Sequence, residues 1–194
     1  MAGIIVPPLQ LVYWPIPKNA CTSLKRHFAR ILGIAKKSPN IHRAPFARTQ
    51  EPLEGFRDLV VVRNPFSRLY SLWVNKIAEG HPTSPHFVDD LDVHVFKYCM
   101  TEIKSGMSFE SFVYVILNDS IPRDPHWAPQ SIQIPMTVTS YHKMEHISNI
   151  MGLFLPRENA SHITVPWIDA YTPELMSFVH NYYREDFQRF QYEQ

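Results

Sequence analysis

The sequence predicts an α/β fold: a central, mainly parallel sheet flanked by helices. Two observations carry this. Strand-like and helix-like segments alternate through the first 80 residues. Leu59–Val62 (LVVV) is a short, continuous apolar run, which suits a parallel strand covered on both faces. With 194 residues, 45% of them apolar, the chain is expected to form one domain with a real core, spanning residues 1–194.

Gln10–Ile16 (QLVYWPI) reads as a buried strand and Pro17–Cys21 as a turn. Leu24, Phe28, Ile31 and Leu32 give Thr22–Leu32 a helical apolar face, and Gly33 is a suitable stop. Ser38–Glu54 is polar loop. Asn64-Pro65 ends the LVVV strand, and Phe66–Ile77 follows as a helix. Gly80–Asp92 reads as loop, then Val93–Lys104 and Phe109–Leu117 as helices. Asn118–Pro135 is a long Pro-rich connection of the kind that often carries function. Met136–Tyr141 is a candidate strand, and Ile147–Phe154 and Pro173–Phe190 are candidate helices.

Composition narrows the function classes. The formal net charge is +1, so nothing global points to nucleic acid or a membrane surface, and an anion site has to be built locally. Cys21 and Cys99 make no disulfide framework. No run approaches the roughly 18 apolar residues of a spanning helix, and the start lacks signal-peptide features. A soluble, cytoplasmic protein is expected.

The segment PKNACTSLK (Pro17–Lys25) sits between a strand and a helix, where unpaired backbone amides meet incoming anions. Lys18 and Lys25 add charge, and Thr22 and Ser23 add hydroxyl donors. Without glycine and a G-K-[ST] ending it is no Walker A loop. A bland alternative makes Thr22 or Ser23 a simple N-cap. The second segment, VVVRNPFSRLYS (Val60–Ser71), puts Arg63 at the end of the apolar strand, where ligands bind in open α/β sheets. Arg63 and, eight residues on, Ser71 are candidates to grip one phosphate. The alternative leaves Arg63 on the surface and Ser71 in helix packing.

Together these two segments resemble the sulfotransferase superfamily. His126-Trp127-Ala128-Pro129-Gln130 resembles the HWxPQ element of its carbohydrate family 2 branch, Ser108–Phe112 the SFxxF segment, and Tyr183–Tyr192 (YREDFQRFQY) the closing Y-x-x-D-F-x-x-F-x-Y pattern. The resemblance runs from about Leu11 to Tyr192. It implies a P-loop-like fold, the donor PAPS with PAP as product, no metal, and a hydroxyl acceptor on a sugar or glycan. Through it, Lys18 contacts the bridging oxygen and the 5′-phosphate. Asn19, Ala20, Cys21, Thr22 and Ser23 hold the 5′-phosphosulfate, and Arg63 and Ser71 hold the 3′-phosphate. Ser131–Pro135 (SIQIP) lacks the cysteines that follow HWxPQ in Golgi members, so the chain resembles a trimmed microbial member.

An acceptor hydroxyl needs a general base. His42, His126 and carboxylates such as Glu54 are candidates. Trp127 is a candidate sugar platform. Two rival readings stand beside transfer. One is a nucleotide-binding module without catalysis. The other is a zinc hydrolase built on His142 and His146, since HKMEH matches H-x-x-E-H; in the resemblance, Glu145 is instead a structural acid.

Overall fold

The structure is a computed structural model. It describes residues 2–35, 40–78, 103, 106–118, 123–149 and 165–193. The expected Gly80–Asp92 loop, all of the expected Val93–Lys104 helix but Ile103, and Cys99 lie outside the described residues. The chain divides into two compact units, Met1–Arg63 with Ile132–Ala160, and Asn64–Ser131 with Ser161–Gln194.

Among the described residues, the first unit holds a five-stranded mixed sheet. Its strands are β1 (Gly3–Val6), β2 (Leu11–Trp14), β3 (Arg48–Thr49), β4 (Arg57–Val62) and β5 (His142–Lys143), in the order β3-β1-β2-β4-β5. β2, β4 and β5 pair in parallel, whereas β1 runs antiparallel to both β2 and β3. The expected mainly parallel sheet is therefore parallel only on one side of β2. The reason is connection length: a three-residue 3-10 turn, Pro7–Leu9, links β1 to β2, and so short a link returns the chain antiparallel. Gly3 is needed on β1, because a Cβ there would stand 2.6 Å from the Val12 side chain.

β2 is buried along its whole length, as are Leu59–Val62 of β4. Between these strands runs α1 (Cys21–Ile31), which buries Leu24, Phe28 and Ala29 with Ile4, Leu11, Tyr13, Leu59 and Val61. This strand–helix–strand crossover brings the carboxyl ends of β2 and β4 side by side, with Trp14 opposite Val60. Met136–Tyr141 forms no strand. A turn closed by Val138 N–H onto the Pro135 carbonyl occupies its first half, and Met136, Thr137, Thr139 and Ser140 are exposed. The strand comes later, where His142 and Lys143 pair with Val61 and Val62.

The second unit is helical: α2 (Pro65–Trp73), α3 (Phe109–Ile116), α4 (Pro173–Tyr182) and α5 (Arg184–Phe190). Asn64, Ser108 and Thr172 cap the first three through their side-chain oxygens. α2 continues into a π-helical turn, Val74–Ala78. Phe66, Leu69, Phe112, Val113, Trp127, Leu175, Val179, Tyr183 and Phe187 share its core. Among the described residues, no helix is long and apolar enough to cross a membrane.

The expected single helix over Pro173–Phe190 is two helices. Tyr183, at φ −99° and ψ 21°, breaks it. Tyr183 then donates its hydroxyl to the Trp127 carbonyl. Burial, foremost, pushes this phenol well above its usual range, so it stays a proton donor. Three residues on, the fully buried Asp186 carboxylate accepts from Gln130 N–H (2.8 Å), Ser131 N–H (2.8 Å) and Gln130 Nε2 (3.2 Å). Arg68 reaches the same segment, donating to the carbonyls of Ala128 (2.9 Å) and Pro125 (2.8 Å). The closing Tyr-x-x-Asp pattern is therefore the clamp of the His126–Ser131 loop. Replacing Asp186 by Ala strands buried amides. It should cost about 3 kcal/mol of stability, read as a lower urea midpoint; an unchanged midpoint would contradict the clamp.

Candidate functional site

The Pro15–Ala20 loop leaves the carboxyl end of β2, and its backbone is unusual. Lys18 (φ 69°) and Ala20 (φ 55°) both take left-handed conformations without being glycine. Each costs about 1–2 kcal/mol, so something must hold them. Asn19 does so from beneath. Its side chain is fully buried and donates Nδ2 to the Val61 carbonyl at 2.9 Å, while its amide turns back to Ile16 O at 3.3 Å. Arg63, just past β4, donates Nη1 to the Lys18 carbonyl at 3.1 Å. The two sequence motifs thus meet at the adjacent ends of parallel strands.

α1 starts immediately after Ala20. Ala20 is the N-cap, and no side chain caps the helix. This corrects the simple N-cap alternative: neither Thr22 nor Ser23 caps, because both lie inside the first turn. That turn carries no acidic residue, although acids are favoured there. Successive left- and right-handed residues that point amides into one concavity form an anion nest. Here two left-handed residues, Lys18 and Ala20, lead into a helix start without a side-chain cap, an arrangement that suits such a nest. Asn19 is turned into the protein, so its side chain supports the loop rather than facing the concavity.

Behind the first turn, the His42 ring lies between two side chains of α1. Nε2 is 3.3 Å from Thr22 Oγ1 and Nδ1 is 3.1 Å from Lys25 Nζ. Lys25 is buried. Asn40 accepts from His42 N–H at 2.9 Å and caps the 3-10 turn Ile41–Arg43 that presents the ring. Tyr13 is buried beneath α1. Its phenol is pushed well above the usual range, by burial first and by Cys21 second.

In the other unit, His126 is ordered by a residue that sequence reasoning missed. Asp124 is fully buried and its Oδ1 accepts from both His126 N–H (2.7 Å) and His126 Nδ1 (2.6 Å). The available signal was Asp-Pro-His, an Asx-turn pattern in which the Asp side chain meets the backbone two residues on. Trp127 is no sugar platform: it is buried in the core beside Phe112 and Tyr183. Ser71 is half-buried on α2, and Glu54 is exposed in a turn.

His142 lies on β5, whereas His146 lies in the following 3-10 segment at a non-helical kink (φ −115°, ψ 24°). The H-x-x-E-H pattern needs both on one helix, so the zinc-hydrolase reading loses its geometry. Among the described residues, no three His, Cys, Asp or Glu side chains are grouped as metal ligands.

If Ala20 is strained, removing its Cβ should help. Ala20→Gly should raise stability by about 0.5–1 kcal/mol, measured by thermal unfolding. A loss of stability would mean that the left-handed backbone carries no cost.

The model of a Sulfotransferase family matches residues 3–193. Among curated proteins and among solved structures, none matches the chain. With nearly the whole chain covered by the family match, and its strand–loop–helix motif folded as described, the chain belongs to sulfotransferase family 2.

Proposed function

We propose that the chain transfers the sulfuryl group of PAPS to a carbohydrate hydroxyl and releases PAP. The observation that carries this reading is the Lys18–Ser23 nest, with its left-handed backbone and uncapped helix start. Such a concavity suits the 5′-phosphosulfate, and the β2–loop–α1 arrangement is read as P-loop-like. Amides of Ala20, Cys21, Thr22 and Ser23 and the two hydroxyls hold the anion. Arg63 and Ser71 are assigned to the 3′-phosphate through the family resemblance.

In the reaction the acceptor oxygen bonds to sulfur while the bond from sulfur to the bridging oxygen breaks. Charge grows on that bridging oxygen as it leaves with PAP, and the Lys18 ammonium stabilises it. The acceptor proton goes to a base. Side-chain chemistry favours His126. Asp124 accepts from Nδ1, which fixes the proton there and leaves the lone pair on Nε2. An Asp that orients an imidazole in this way is a familiar device for general bases. The donor set needs no metal, because sulfuryl transfer can proceed by positioning and charge relief alone.

The test is PAP release from PAPS with a panel of carbohydrate acceptors. The unaltered chain should turn over, and Lys18→Ala should abolish turnover while leaving the fold intact. Near-normal turnover in Lys18→Ala would refute its role. His126→Ala should lower kcat by about 10²–10⁴-fold, the range for a lost general base. Arg63→Ala should weaken PAP binding by about 2–4 kcal/mol, and unchanged affinity would remove Arg63 from the site.

A further inference from the structure

We infer that His42 is a positioning residue: it orients the Thr22 hydroxyl toward the bound nucleotide, with its tautomer set by Lys25. The inference rests on the proposed nucleotide site and assigns His42 a role other than general base.

A lysine ammonium has donors and no acceptor. At 3.1 Å from Lys25 Nζ, His42 Nδ1 must therefore accept. A neutral imidazole that accepts at Nδ1 carries its proton on Nε2. Nε2 lies 3.3 Å from Thr22 Oγ1, so it donates to that oxygen. A hydroxyl has one proton to give. With its oxygen accepting from His42, Thr22 keeps that proton for another acceptor. Thr22 is the second residue of α1, two positions after the left-handed Ala20, so this donor belongs to the same helix start as the nest amides.

This arrangement also bears on proton abstraction. In this tautomer Nε2 holds a proton and the Nδ1 lone pair is engaged by Lys25. Neither nitrogen is set to take a proton from an acceptor. The contrast with His126 is direct, because there a carboxylate accepts from Nδ1 and the lone pair is left on Nε2. Lys25 and His42 are 17 residues apart, and the capped 3-10 turn at Asn40 holds the ring in place. Charge from Lys25 is thus used within the loop's support, to fix a proton on a neighbouring ring.

The test is PAP affinity measured by calorimetry, a binding event that needs no base. His42→Ala should weaken PAP binding by about tenfold, the scale of one lost hydrogen bond. Thr22→Ala should do the same. The double variant should lose about tenfold in all, because His42 acts only through Thr22. His42→Gln, whose amide nitrogen can donate to Thr22, should recover the affinity lost in His42→Ala. If His42→Ala does not fold by circular dichroism, His42→Leu provides the donor-free comparison with His42→Gln. Unchanged PAP affinity in His42→Ala, or losses that multiply to about a hundredfold in the double variant, would overturn the inference. No PAP binding by the unaltered chain would overturn the nucleotide reading and this inference with it. Binding by the unaltered chain with unaffected variants would sink the inference alone.

Discussion

The hydrogen bond from Asn19 to the Val61 carbonyl is the constraint on which the candidate site depends. It ties the middle of a loop to the end of the neighbouring parallel strand. With Asn19 held there, the residues on either side take left-handed backbone, and α1 starts immediately after them. Glycine is the usual way to reach this conformation. Here a buried asparagine and the Arg63 strut on Lys18 O take its place. The strain is local, and the surrounding packing over-determines it.

The helical unit applies the same principle to a different loop. Buried polar groups there serve mainly the backbone of residues 125–131. Asp186 gathers amides of Gln130 and Ser131, while Arg68 and Arg189 take carbonyls of Pro125, Ala128 and Ser131. A loop whose backbone groups are this fully satisfied can be buried without loss. Its one ordered imidazole, His126, then has its ring fixed by Asp124 rather than by solvent. Residues of the HWxPQ-like element, Trp127 and Gln130 among them, hold the loop in the core through Tyr183 and Asp186.

Much of this was legible in the sequence. β2, α1, β4 and α2 were readable nearly to their ends because apolar spacing is the signal for elements packed on a core. The strand–loop–helix placement of Lys18–Ser23, on which the expectation of an anion site rested, was readable as well. Other features were not legible for definite reasons. β3 and β5 are two residues each and exist only through pairing. The break at Tyr183 carries neither Gly nor Pro, so no local signal marks it. The left-handed Ala20 lacks glycine's signature, and its cause is the bond from Asn19 to Val61, 42 positions beyond Asn19. Lys25 and His42 meet through tertiary structure alone. Trp127 looked exposed because its neighbours are polar, yet those neighbours spend their polarity on backbone partners.

The central claim is that the loop after β2 and the end of β4 form a site for a nucleotide carrying a 3′-phosphate. Calorimetric titration of the unaltered chain with PAP, beside ADP and without metal, addresses it most directly. The account predicts saturable one-to-one binding of PAP and much weaker binding of ADP. Equal binding of ADP, or no binding of PAP, would contradict it.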